Sequence, residues 1–214
     1  PKKGETILDL ACGQGFFARA FANSGAKVVG VDISPSLIAF AKEHSLKELT
    51  FHVSPAHKLN FLNDSSVDAI ALVMAIQNIE NPNEVLKECT RVLAPGGRMV
   101  IVMSHPAFRI PQSSDWGFDE AKSIQYRRID SYMSDAKIKI DMHPGKKESE
   151  QTITFHRPLQ VYFKLFHKHN FLVSRLEEWI SHKTSATGPR KGAEDTARKE
   201  FPMFLCLEVI KHGA

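Results

Sequence analysis

The stretch that decides the fold is Leu8-Asp9-Leu10-Ala11-Cys12-Gly13-Gln14-Gly15-Phe16. An apolar run leads into its two glycines, and a helical pattern of apolar residues (Phe17, Ala20, Phe21) follows them and stops at Gly25. Strand, glycine turn and helix in this order bring bare backbone N–H groups to a helix N-terminus, where a ligand can lie. The sequence therefore predicts a ligand site at its first strand–helix turn.

A second apolar run, Val28–Val31, ends in Asp32. A carboxylate at the tip of a neighbouring strand can hold a ribose diol through two hydrogen bonds, so the two runs together indicate a nucleoside cofactor. Gly13-x-Gly15-x-x-Ala18 also fits the dinucleotide fingerprint, with an acidic residue at close to the usual spacing. A nicotinamide cofactor therefore stays open on these residues alone.

Asp9 argues against a dinucleotide, because a fixed anion at the end of the first strand repels a pyrophosphate and attracts an ammonium group. The later segment Arg91-Val92-Leu93-Ala94-Pro95-Gly96-Gly97 precedes a hydrophobic strand, Met99–Met103. With the first glycine motif, Asp32 and this turn in order, residues 5–103 resemble the class I S-adenosylmethionine-dependent methyltransferases. The resemblance is to the broad group that includes the ubiquinone/menaquinone-biosynthesis enzymes, and it extends loosely over residues 158–211.

The expected fold is an α/β, Rossmann-like doubly wound sheet of seven strands, mostly parallel with an antiparallel last strand. Alternating strand and helix signals favour the same class. We expect a single methyltransferase domain over residues 1–214, with a cofactor-binding core at 1–103 and 158–214. Residues 104–157 follow the fifth strand on the ligand side of the sheet, carry clustered aromatics and lack regular periodicity, which predicts a substrate lid. Residues 181–202 are expected to form a second lid loop.

Local signals place several element boundaries. Ser34-Pro35 and Asn81-Pro82 each combine a capping side chain with proline at the first helical position, which predicts two helix starts. Val67–Met74 is almost continuously apolar and predicts a buried central strand. Pro95-Gly96-Gly97 predicts the end of a helix and a turn into the fifth strand.

The resemblance implies S-adenosylmethionine as cofactor, with S-adenosylhomocysteine as product, and each contact is carried over by position. The methionine tail would lie on the backbone of the first turn with its ammonium group near a carboxylate, the ribose would bind a second carboxylate, and apolar residues would flank the adenine. The residues for the methionine tail are Ala11, Cys12, Gly13 and Gly15, with Asp9 near its ammonium group. Asp32 is the residue for the ribose. Ile33 would pack on the adenine, Ala56 and His57 would lie along its edge, and Met74 and Ala75 would form the floor.

Two positions depart from the family pattern. Ala11 stands where many relatives have a first glycine, and it still permits close approach of a ligand. Pro55 stands where relatives often place an aspartate that accepts a hydrogen bond from the adenine amino group, and proline offers neither that side chain nor an N–H. The amino group would then be read by backbone, by His57 or by water.

Methyl transfer from a sulfonium mainly requires alignment of donor and acceptor, and a base is needed only where the acceptor must lose a proton. His105, directly after the fifth strand, and His156, where the lid returns to the sheet, are the candidate catalytic bases. Each has an alternative structural role. His105 can cap the strand end through its ring, and His156 can contact the start of the next helix.

The acceptor site is expected in the lid half of the chain. Arginines there can hold a carboxylate or phosphate, and aromatic side chains can either flank a planar acceptor or form a small core of the lid. The candidate substrate-binding residues are Phe108, Arg109, Trp116, Tyr126, Arg127 and Arg157. Residues 104–214 carry eighteen Lys/Arg against fourteen Asp/Glu, whereas residues 1–103 are balanced at ten each, so the whole excess of +4 lies in the lid half. This charge fits an anionic small molecule and also permits a nucleic acid.

Composition excludes several other classes. Cys12, Cys89 and Cys206 are far apart with no CxxC pair, which predicts reduced thiols and no metal site. His167-x-His169 places two rings on different faces of a helix and does not indicate a metal either. No apolar run reaches the roughly 18 residues of a membrane span, and no signal-peptide pattern occurs, so we expect a cytoplasmic protein with no membrane contact.

Three functional hypotheses follow. The first is methyl transfer to O or N of a small-molecule acceptor that is aromatic or acidic. The second is an RNA (tRNA) methyltransferase, disfavoured because Met74-Ala75-Ile76-Gln77 stands where many enzymes that methylate base or amide nitrogens carry an "NPPY"-type tetrapeptide. The third is an NAD(P)-dependent oxidoreductase or a non-catalytic cofactor-binding domain, the latter suggested by Pro55. The oligomeric state is not predicted.

Overall fold

The computed structural model describes residues 1–45, 49–141 and 151–213. Its strands are β1 (Thr6–Leu10), β2 (Lys27–Asp32), β3 (Thr50–Val53), β4 (Val67–Val73), β5 (Leu93–Ser104), β6 (Ser114–Asp119), β7 (Ile124–Ile129), β8 (Ala136–Asp141), β9 (Gln151–His156), β10 (Phe171–Trp179) and β11 (Phe204–Lys211). Its helices are α1 (Phe16–Asn23), α2 (Pro35–Glu43), α3 (Pro82–Val92), α4 (Leu159–Lys168) and α5 (Lys191–Glu200), and Ile76–Asn78 forms a 3₁₀ turn.

Seven of these strands form one sheet in the order β10-β11-β5-β4-β1-β2-β3. Five adjacent strands of the sheet, β5, β4, β1, β2 and β3, are parallel to one another. Leu8 of β1 lies opposite Val29 of β2 on one side and Ile70 of β4 on the other. β11 runs antiparallel to both β5 and β10. The predicted mixed, mostly parallel sheet is therefore confirmed.

Helices cover the sheet through two hydrophobic clusters. The larger cluster packs α3 and α4 against the central strands, with Leu86 and Phe166 almost fully buried. The smaller cluster packs α1 and α2 against β2 and β3, and its contact residue on α1 is Ala18, since Phe17 is 39% exposed. Burial of these apolar faces is the main stabilising contribution to the fold.

The two predicted helix starts are confirmed. The Ser34 hydroxyl accepts a hydrogen bond from the Leu37 N–H at 3.4 Å, and the Asn81 side-chain oxygen accepts one from the Glu84 N–H at 3.4 Å. In both helices proline occupies the first turn. A proline there removes an N–H that has no partner inside the helix.

The predicted turn at Pro95-Gly96-Gly97 is different in the structure. α3 ends at Val92 as expected, but the chain is extended from Leu93 onward, and the three residues form a bulge inside β5. Pairing with β4 shifts there, from Val67 opposite Leu93 to Ala69 opposite Arg98. Gly96 has a φ of 72°, a left-handed conformation that glycine adopts without strain.

The lid after β5 is more regular than the sequence indicates. Residues 104–157 contain two β-hairpins, β6–β7 and β8–β9, each antiparallel and separate from the main sheet. β7 and β8 alternate between exposed and half-buried residues, so neither hairpin has a fully buried face. That shallow burial explains why apolar alternation in the sequence is weak.

The second insertion also contains an element that the sequence analysis missed. Residues 181–202 are expected to be a loop, yet α5 occupies half of them and packs against β7. Phe201, just after α5, makes edge contacts with Trp116 at 5.6 Å and Phe108 at 5.8 Å between ring centroids. Ala197 is the buried residue of this helix, so its sequence shows little apolar periodicity.

An ion pair across β4 links β5 to the residue that precedes β1. Arg98 lies on β5. Its two terminal nitrogens, Nη1 and Nη2, donate to the two oxygens of the Glu5 carboxylate at 2.8 Å. These bonds hold the pKa of Glu5 at about 2, below its usual value of 4.5. None of the helices in the described part of the chain has the length and apolar character needed to cross a membrane.

Candidate active site

The turn between β1 and α1 has an unusual backbone. Ala11, Gly13 and Gly15 have φ values of 58°, 53° and 74°, all left-handed. A Cβ added to Gly13 would meet nothing within 4 Å, whereas one added to Gly15 would press on Ala41 and Phe51 at 3.1 Å. Gly15 is thus needed for helix packing, and Gly13 exposes bare backbone to open space. Strained backbone of this kind is concentrated at ligand sites.

Asp32 fastens this turn to the next strand. Its Oδ2 accepts a hydrogen bond from the Gly13 N–H at 2.9 Å, and its Oδ1 accepts one from the Ser34 N–H at 2.9 Å. The residue is 8% exposed at the carboxyl end of β2. Each carboxylate oxygen keeps lone pairs for a further donor. The position and chemistry fit a sugar diol next to the glycine turn.

Asp9 lies beneath the same turn. It is 2% exposed, and its Oδ2 has no hydrogen-bond partner among the described residues. Burial raises the pKa of its carboxyl to about 7, an effect partly offset by the Ala18 backbone N–H and strengthened by the charge of Asp32. An unpaired buried carboxyl is costly, and a cation brought beside it would favour the ionised form. The group that fits is an ammonium.

Apolar surface flanks the other side of Asp32. Ile33 is 70% exposed directly after β2, and Ala56 and His57 form a turn after β3. The Ser54 N–H donates to the Asp32 backbone oxygen at 2.9 Å, which keeps that turn beside the end of β2. An exposed isoleucine next to a sugar-binding carboxylate suits the flat face of a base.

Cys12 lies in the glycine turn without offering a nucleophile. Burial, together with the charges of Asp9 and Asp32, raises the pKa of its thiol to about 12. A thiol with such a pKa is protonated at neutral pH and unreactive. Its contribution to the site is therefore its backbone and its volume.

Met74 and Ala75 lie where β4 ends. Met74 has a φ of 55°, donates its N–H to the Val102 oxygen at 2.7 Å, and accepts a hydrogen bond from the Gln77 side-chain N–H at 2.9 Å. Ala75 packs against the larger hydrophobic cluster. Left-handed backbone at this non-glycine residue turns the chain sharply at the edge of the sheet, beside the glycine turn.

A cavity of about 570 Å³ opens beside Met74, a volume typical of small-molecule sites. It lies between the carboxyl ends of β4 and β5 and the two lid hairpins. The residues that line it are Met74, Gln77, Asn78, Ser104, Pro106, Arg109, Ile110, Pro111, Gln112, Ser114, Arg127, Ile140, Asp141, Thr154, Phe155, His156, Arg157 and Tyr162. Met74 ends β4, the strand next to β1, so the cavity lies on the same edge of the sheet as the glycine turn.

Three predicted substrate-binding residues, Arg109, Arg127 and Arg157, line this cavity. None of them pairs with a carboxylate within the described ranges, whereas Arg128, outside the cavity, pairs with Asp130 at 2.8 Å. Burial lowers the pKa of Arg127, although the guanidinium stays charged at neutral pH. The cavity therefore has a cationic wall.

The three aromatic candidates do not line the cavity. Phe108 and Trp116 contact Phe201, so they form part of a small core between the two lids. Tyr126 is 47% exposed and covers Gly117, where an added Cβ would lie 2.3 Å from the tyrosine ring. For Phe108 and Trp116 these contacts fit the alternative role in the core of the lid, whereas Tyr126 covers the hairpin surface.

His105 is buried, with both ring nitrogens engaged. Its Nε2 lies 2.9 Å from Glu178 Oε1, and its Nδ1 accepts the N–H groups of Ala107 at 3.1 Å and Phe108 at 3.3 Å. Burial lowers its pKa despite the glutamate. A neutral ring bonded in this way has no lone pair left for the proton of an acceptor. The geometry favours the strand-capping alternative.

His156 lines the cavity and is 5% exposed. Its Nε2 donates to the Tyr132 backbone oxygen at 2.9 Å. In the neutral ring Nδ1 then carries the lone pair, because the carbonyl fixes the proton on the other nitrogen. Of the two histidine candidates, His156 is the one whose second ring nitrogen has no hydrogen bond among those between described residues.

Gln77 and Asn78 belong to the cavity but were missed in the sequence. Both are in the 3₁₀ turn after β4, and each has a buried side-chain oxygen without a partner in the described structure. A polar Gln-Asn pair directly after a buried apolar strand on the ligand side was the available signal. The described residues contain no group of three or more His, Cys, Asp or Glu arranged for a metal ion.

Comparison with known proteins agrees with this geometry. A family described as "Methyltransferase domain" matches residues 8–101. A demethylmenaquinone methyltransferase of Tropheryma whipplei (strain Twist) is 38% identical over 106 residues, covering 48% of this chain and 44% of that enzyme. A ubiquinone biosynthesis O-methyltransferase of Xylella fastidiosa (strain 9a5c) is 30% identical over 104 residues, covering 47% of this chain and 42% of that enzyme.

The likeness to solved structures is longer. A structure of an S-adenosylmethionine-dependent methyltransferase from Mesorhizobium loti superposes with a TM-score of 0.78 at 26% identity, covering 98% of this chain and 93% of that one. The chain spans less than half the length of the two curated relatives, and in both the match has about the length of the cofactor half. Residues 8–101 thus match a methyltransferase domain, and over almost its whole length the chain is similar in fold to an S-adenosylmethionine-dependent methyltransferase.

Proposed function

We propose that this protein transfers the methyl group of S-adenosylmethionine to an oxygen or nitrogen of a small acceptor. The observation that carries the proposal is the position of two features at one edge of the sheet. A glycine turn with two buried carboxylates follows β1, and a 570 Å³ cavity lined by Met74 lies at the end of β4, the neighbouring strand. Methyl transfer needs this arrangement, since donor and acceptor must meet in line with water excluded.

The residues of the first site fit the cofactor. Asp9, with an unpaired buried oxygen, matches the ammonium group of a methionine tail, and Asp32 matches the ribose hydroxyls. The left-handed backbone at Gly13 lets the tail lie against N–H groups without a side chain between them. The cofactor supplies an already activated methyl group, so the chain's own task is to align the acceptor.

The acceptor is proposed to be a small molecule. Three arginines line a cavity of small-molecule size, which suits a compact anion better than the extended backbone of a nucleic acid. Two relatives are named for menaquinone and ubiquinone biosynthesis, which also supports a small-molecule acceptor. Where the acceptor must lose a proton, His156 Nδ1 is the proposed base.

Thermal unfolding with S-adenosylhomocysteine tests the cofactor, with NADH and NADPH measured separately. A ligand at 100 times its dissociation constant adds about 2.7 kcal/mol, which raises the Tm of a chain of this size by about 5–10 °C. We expect this rise with the homocysteine nucleoside alone. A rise in Tm with NADH or NADPH instead would contradict the proposal. So would the absence of a rise with any of the three ligands.

Asp32→Asn supplies the matched variant. It removes the charge that the ribose hydroxyls would meet, so the affinity for S-adenosylhomocysteine should fall by about 1–3 kcal/mol, or about 5- to 150-fold. Asp68→Asn is the control, because Asp68 also accepts a backbone N–H, from Thr6 at 2.8 Å, but lies at the opposite end of the sheet. Equal affinities for the two variants would refute the ribose assignment.

A further inference from the structure

Three buried, unpaired polar atoms belong to residues that line the cavity. They are Gln77 Oε1, Asn78 Oδ1 and Arg157 Nη1, and none has a hydrogen-bond partner among the described residues. A buried polar atom left without a partner costs about 1–3 kcal/mol. The wall of the cavity therefore contains two hydrogen-bond acceptors and one cationic donor. A ligand that matches them would offer hydrogen-bond donors and an anionic group.

The orientation of Gln77 is fixed by its neighbours. Its side-chain N–H donates to the Met74 backbone oxygen at 2.9 Å, which leaves the amide oxygen as the free end. Its own backbone oxygen accepts the Thr154 hydroxyl at 3.3 Å, so hairpin β8–β9 holds the 3₁₀ turn from the other side. The unpaired oxygen thus belongs to a cavity-lining side chain whose amide nitrogen is held in place.

Arg157 is held as firmly. Its Nη2 donates to the backbone oxygens of Ile79 at 3.0 Å and Glu80 at 2.7 Å, and the guanidinium lies over the Phe155 ring, 5.0 Å from its centroid. Nη1 remains without a partner. A fixed, charged donor loses little conformational entropy when it binds an anion.

Arg127 strengthens the cationic wall from the opposite hairpin. Its Nε donates to the Phe108 oxygen at 2.8 Å and its Nη2 to the Ser114 hydroxyl at 2.7 Å, with no carboxylate partner in the described chain. One carboxylate, Asp141, also lines the cavity, but it is solvent-exposed and bonded to Gln151. The balance of charge therefore favours an anion inside.

We propose that this cavity selects a small carboxylate that also bears a hydroxyl or amino group. Arg157 binds the carboxylate, and Gln77, with Asn78 beside it, accepts a hydrogen bond from the hydroxyl or amino group. A planar monoanion suits the one free nitrogen of Arg157 and the flat Phe155 ring next to it. A phosphate dianion would require more buried donors.

The position of Gln77 indicates which group is methylated. It bonds to Met74, at the end of β4, where the cofactor half meets the cavity. The hydroxyl or amino group that it orients therefore lies on the side of the methyl donor, with the carboxylate farther away on the arginine wall. The claim that this ligand is the methyl acceptor rests on the proposed function, whereas the binding preference does not.

Ligand-observed NMR titrations test the preference without any reaction. The probes are paired carboxylates and amides of equal shape: 3-hydroxybenzoate with 3-hydroxybenzamide, benzoate with benzamide, and 3-hydroxybutyrate with its amide, each with and without S-adenosylhomocysteine. We expect the hydroxycarboxylates to bind about tenfold more tightly than their amides, and 3-hydroxybenzoate to bind several-fold more tightly than benzoate.

Two variants separate the two contacts. Arg157→Gln should abolish the preference for carboxylate over amide, and Gln77→Met should abolish the preference for the hydroxyl while keeping that for the carboxylate. Because Arg157 also holds two backbone oxygens, Arg157→Lys is a second variant that keeps the cation and should keep the carboxylate preference. Arg128→Gln, on the same lid but outside the cavity, is the matched control and should change neither.

The outcomes distinguish this inference from the proposed function. If no carboxylate binds more tightly than its amide, or if Arg157→Gln keeps the preference, the cavity assignment is wrong. Stabilisation by S-adenosylhomocysteine without any carboxylate preference leaves the proposed function standing alone. A carboxylate preference without binding of S-adenosylhomocysteine supports the cavity assignment and contradicts methyl transfer.

Discussion

The Asp9 carboxyl has a different pKa in the folded protein and in the unfolded chain. Its burial beneath the glycine turn raises its pKa to about 7, so without a ligand the folded protein resists its ionisation. The unfolded chain ionises it near the ordinary value of 3.8. Between these two pH values the folded state holds the extra proton, and stability therefore falls as the pH rises.

Asp9→Asn should remove this pH dependence. We expect the variant to gain stability relative to the wild type as the pH rises from 4 to 8. The difference between their free energies of unfolding should change by up to about 4 kcal/mol over this range. The same variant should bind S-adenosylhomocysteine more weakly, since the ammonium group loses an ionised partner. Thermal unfolding at pH 4, 6 and 8 measures the first effect, and titration calorimetry the second. A gap that does not change with pH would contradict the burial argument.

His105→Asn tests whether this histidine is a base or a cap. Asparagine keeps an acceptor near the position of Nδ1 for the Ala107 and Phe108 N–H groups, and loses only the contact with Glu178. We expect it to cost about 1 kcal/mol of stability, against about 3 kcal/mol for His105→Ala, which leaves two N–H groups unpaired. The pH profile of kcat should keep its acid limb in His105→Asn. If the fall of kcat at acidic pH disappears in His105→Asn, His105 is the base after all.

Single residues were predictable where chemistry and spacing coincide. Gly13 and Asp32 are nineteen positions apart, and the sequence pattern places both at the carboxyl ends of neighbouring strands, where the structure adds a hydrogen bond between them. Gln77 was not predictable as a ligand-facing residue. Its role depends on a 3₁₀ turn and on Thr154, 77 residues away, and no local pattern encodes that contact.

At the scale of elements, the two lids form a joint structure. Phe201 follows α5 and reaches Phe108 and Trp116 of the first lid, and Arg190 lies over the Phe118 ring at 4.5 Å. These contacts connect segments that are separated in sequence by the whole of α4 and β10. The second lid therefore packs against the first lid, whose residues line the cavity.

Phe201→Ala should loosen the second lid selectively. Loss of two aromatic contacts is expected to cost about 1–3 kcal/mol. Limited proteolysis within residues 181–202 should become faster, while the affinity for S-adenosylhomocysteine stays unchanged because its site lies on β1 and β2. Ile124→Ala, at a 52%-exposed position of the first lid, is the control. Equal proteolysis of both variants would mean that the lids are independent.

The elements differ in how far sequence predicts them. β4 and α3 are buried deeply, so their apolar periodicity is strong and their existence follows from it. The hairpins and α5 bury few side chains, and their sequences look like polar loop. What stabilises them is tertiary contact between the lids, which sequence periodicity does not record.

At the scale of the whole molecule, the sheet core is held by an ion pair as well as by apolar packing. Glu5 precedes β1, Arg98 lies on β5, and β4 stands between those two strands. The folded pKa of Glu5, about 2, lies below its usual 4.5. Its contribution to stability is therefore present above pH 4.5 and is lost as the pH falls towards 2.

Glu5→Gln should lower the stability by about 1–2 kcal/mol at pH 7, because hydrogen bonds to a charged group are replaced by weaker ones at a partly exposed site. At pH 2 most of this difference should be lost, since the glutamate is then about half protonated in the folded protein and almost fully protonated in the unfolded chain. Chemical denaturation at both pH values checks this. A difference that persists unchanged at pH 2 would show that packing, and not charge, holds this contact.

The single reversed strand of the sheet divides the molecule into a constant part and an exchangeable one. Because β11 starts beside the end of β5 and β10 ends at the same edge, both insertions leave and return on one side. The donor half can then be inherited unchanged while the acceptor half is replaced. For protein engineering, a chimera that receives residues 104–157 and 181–202 from a relative as a matched pair, together with that relative's residues at positions 77 and 78 of the cavity wall, should acquire that relative's acceptor without disturbing the proposed donor site.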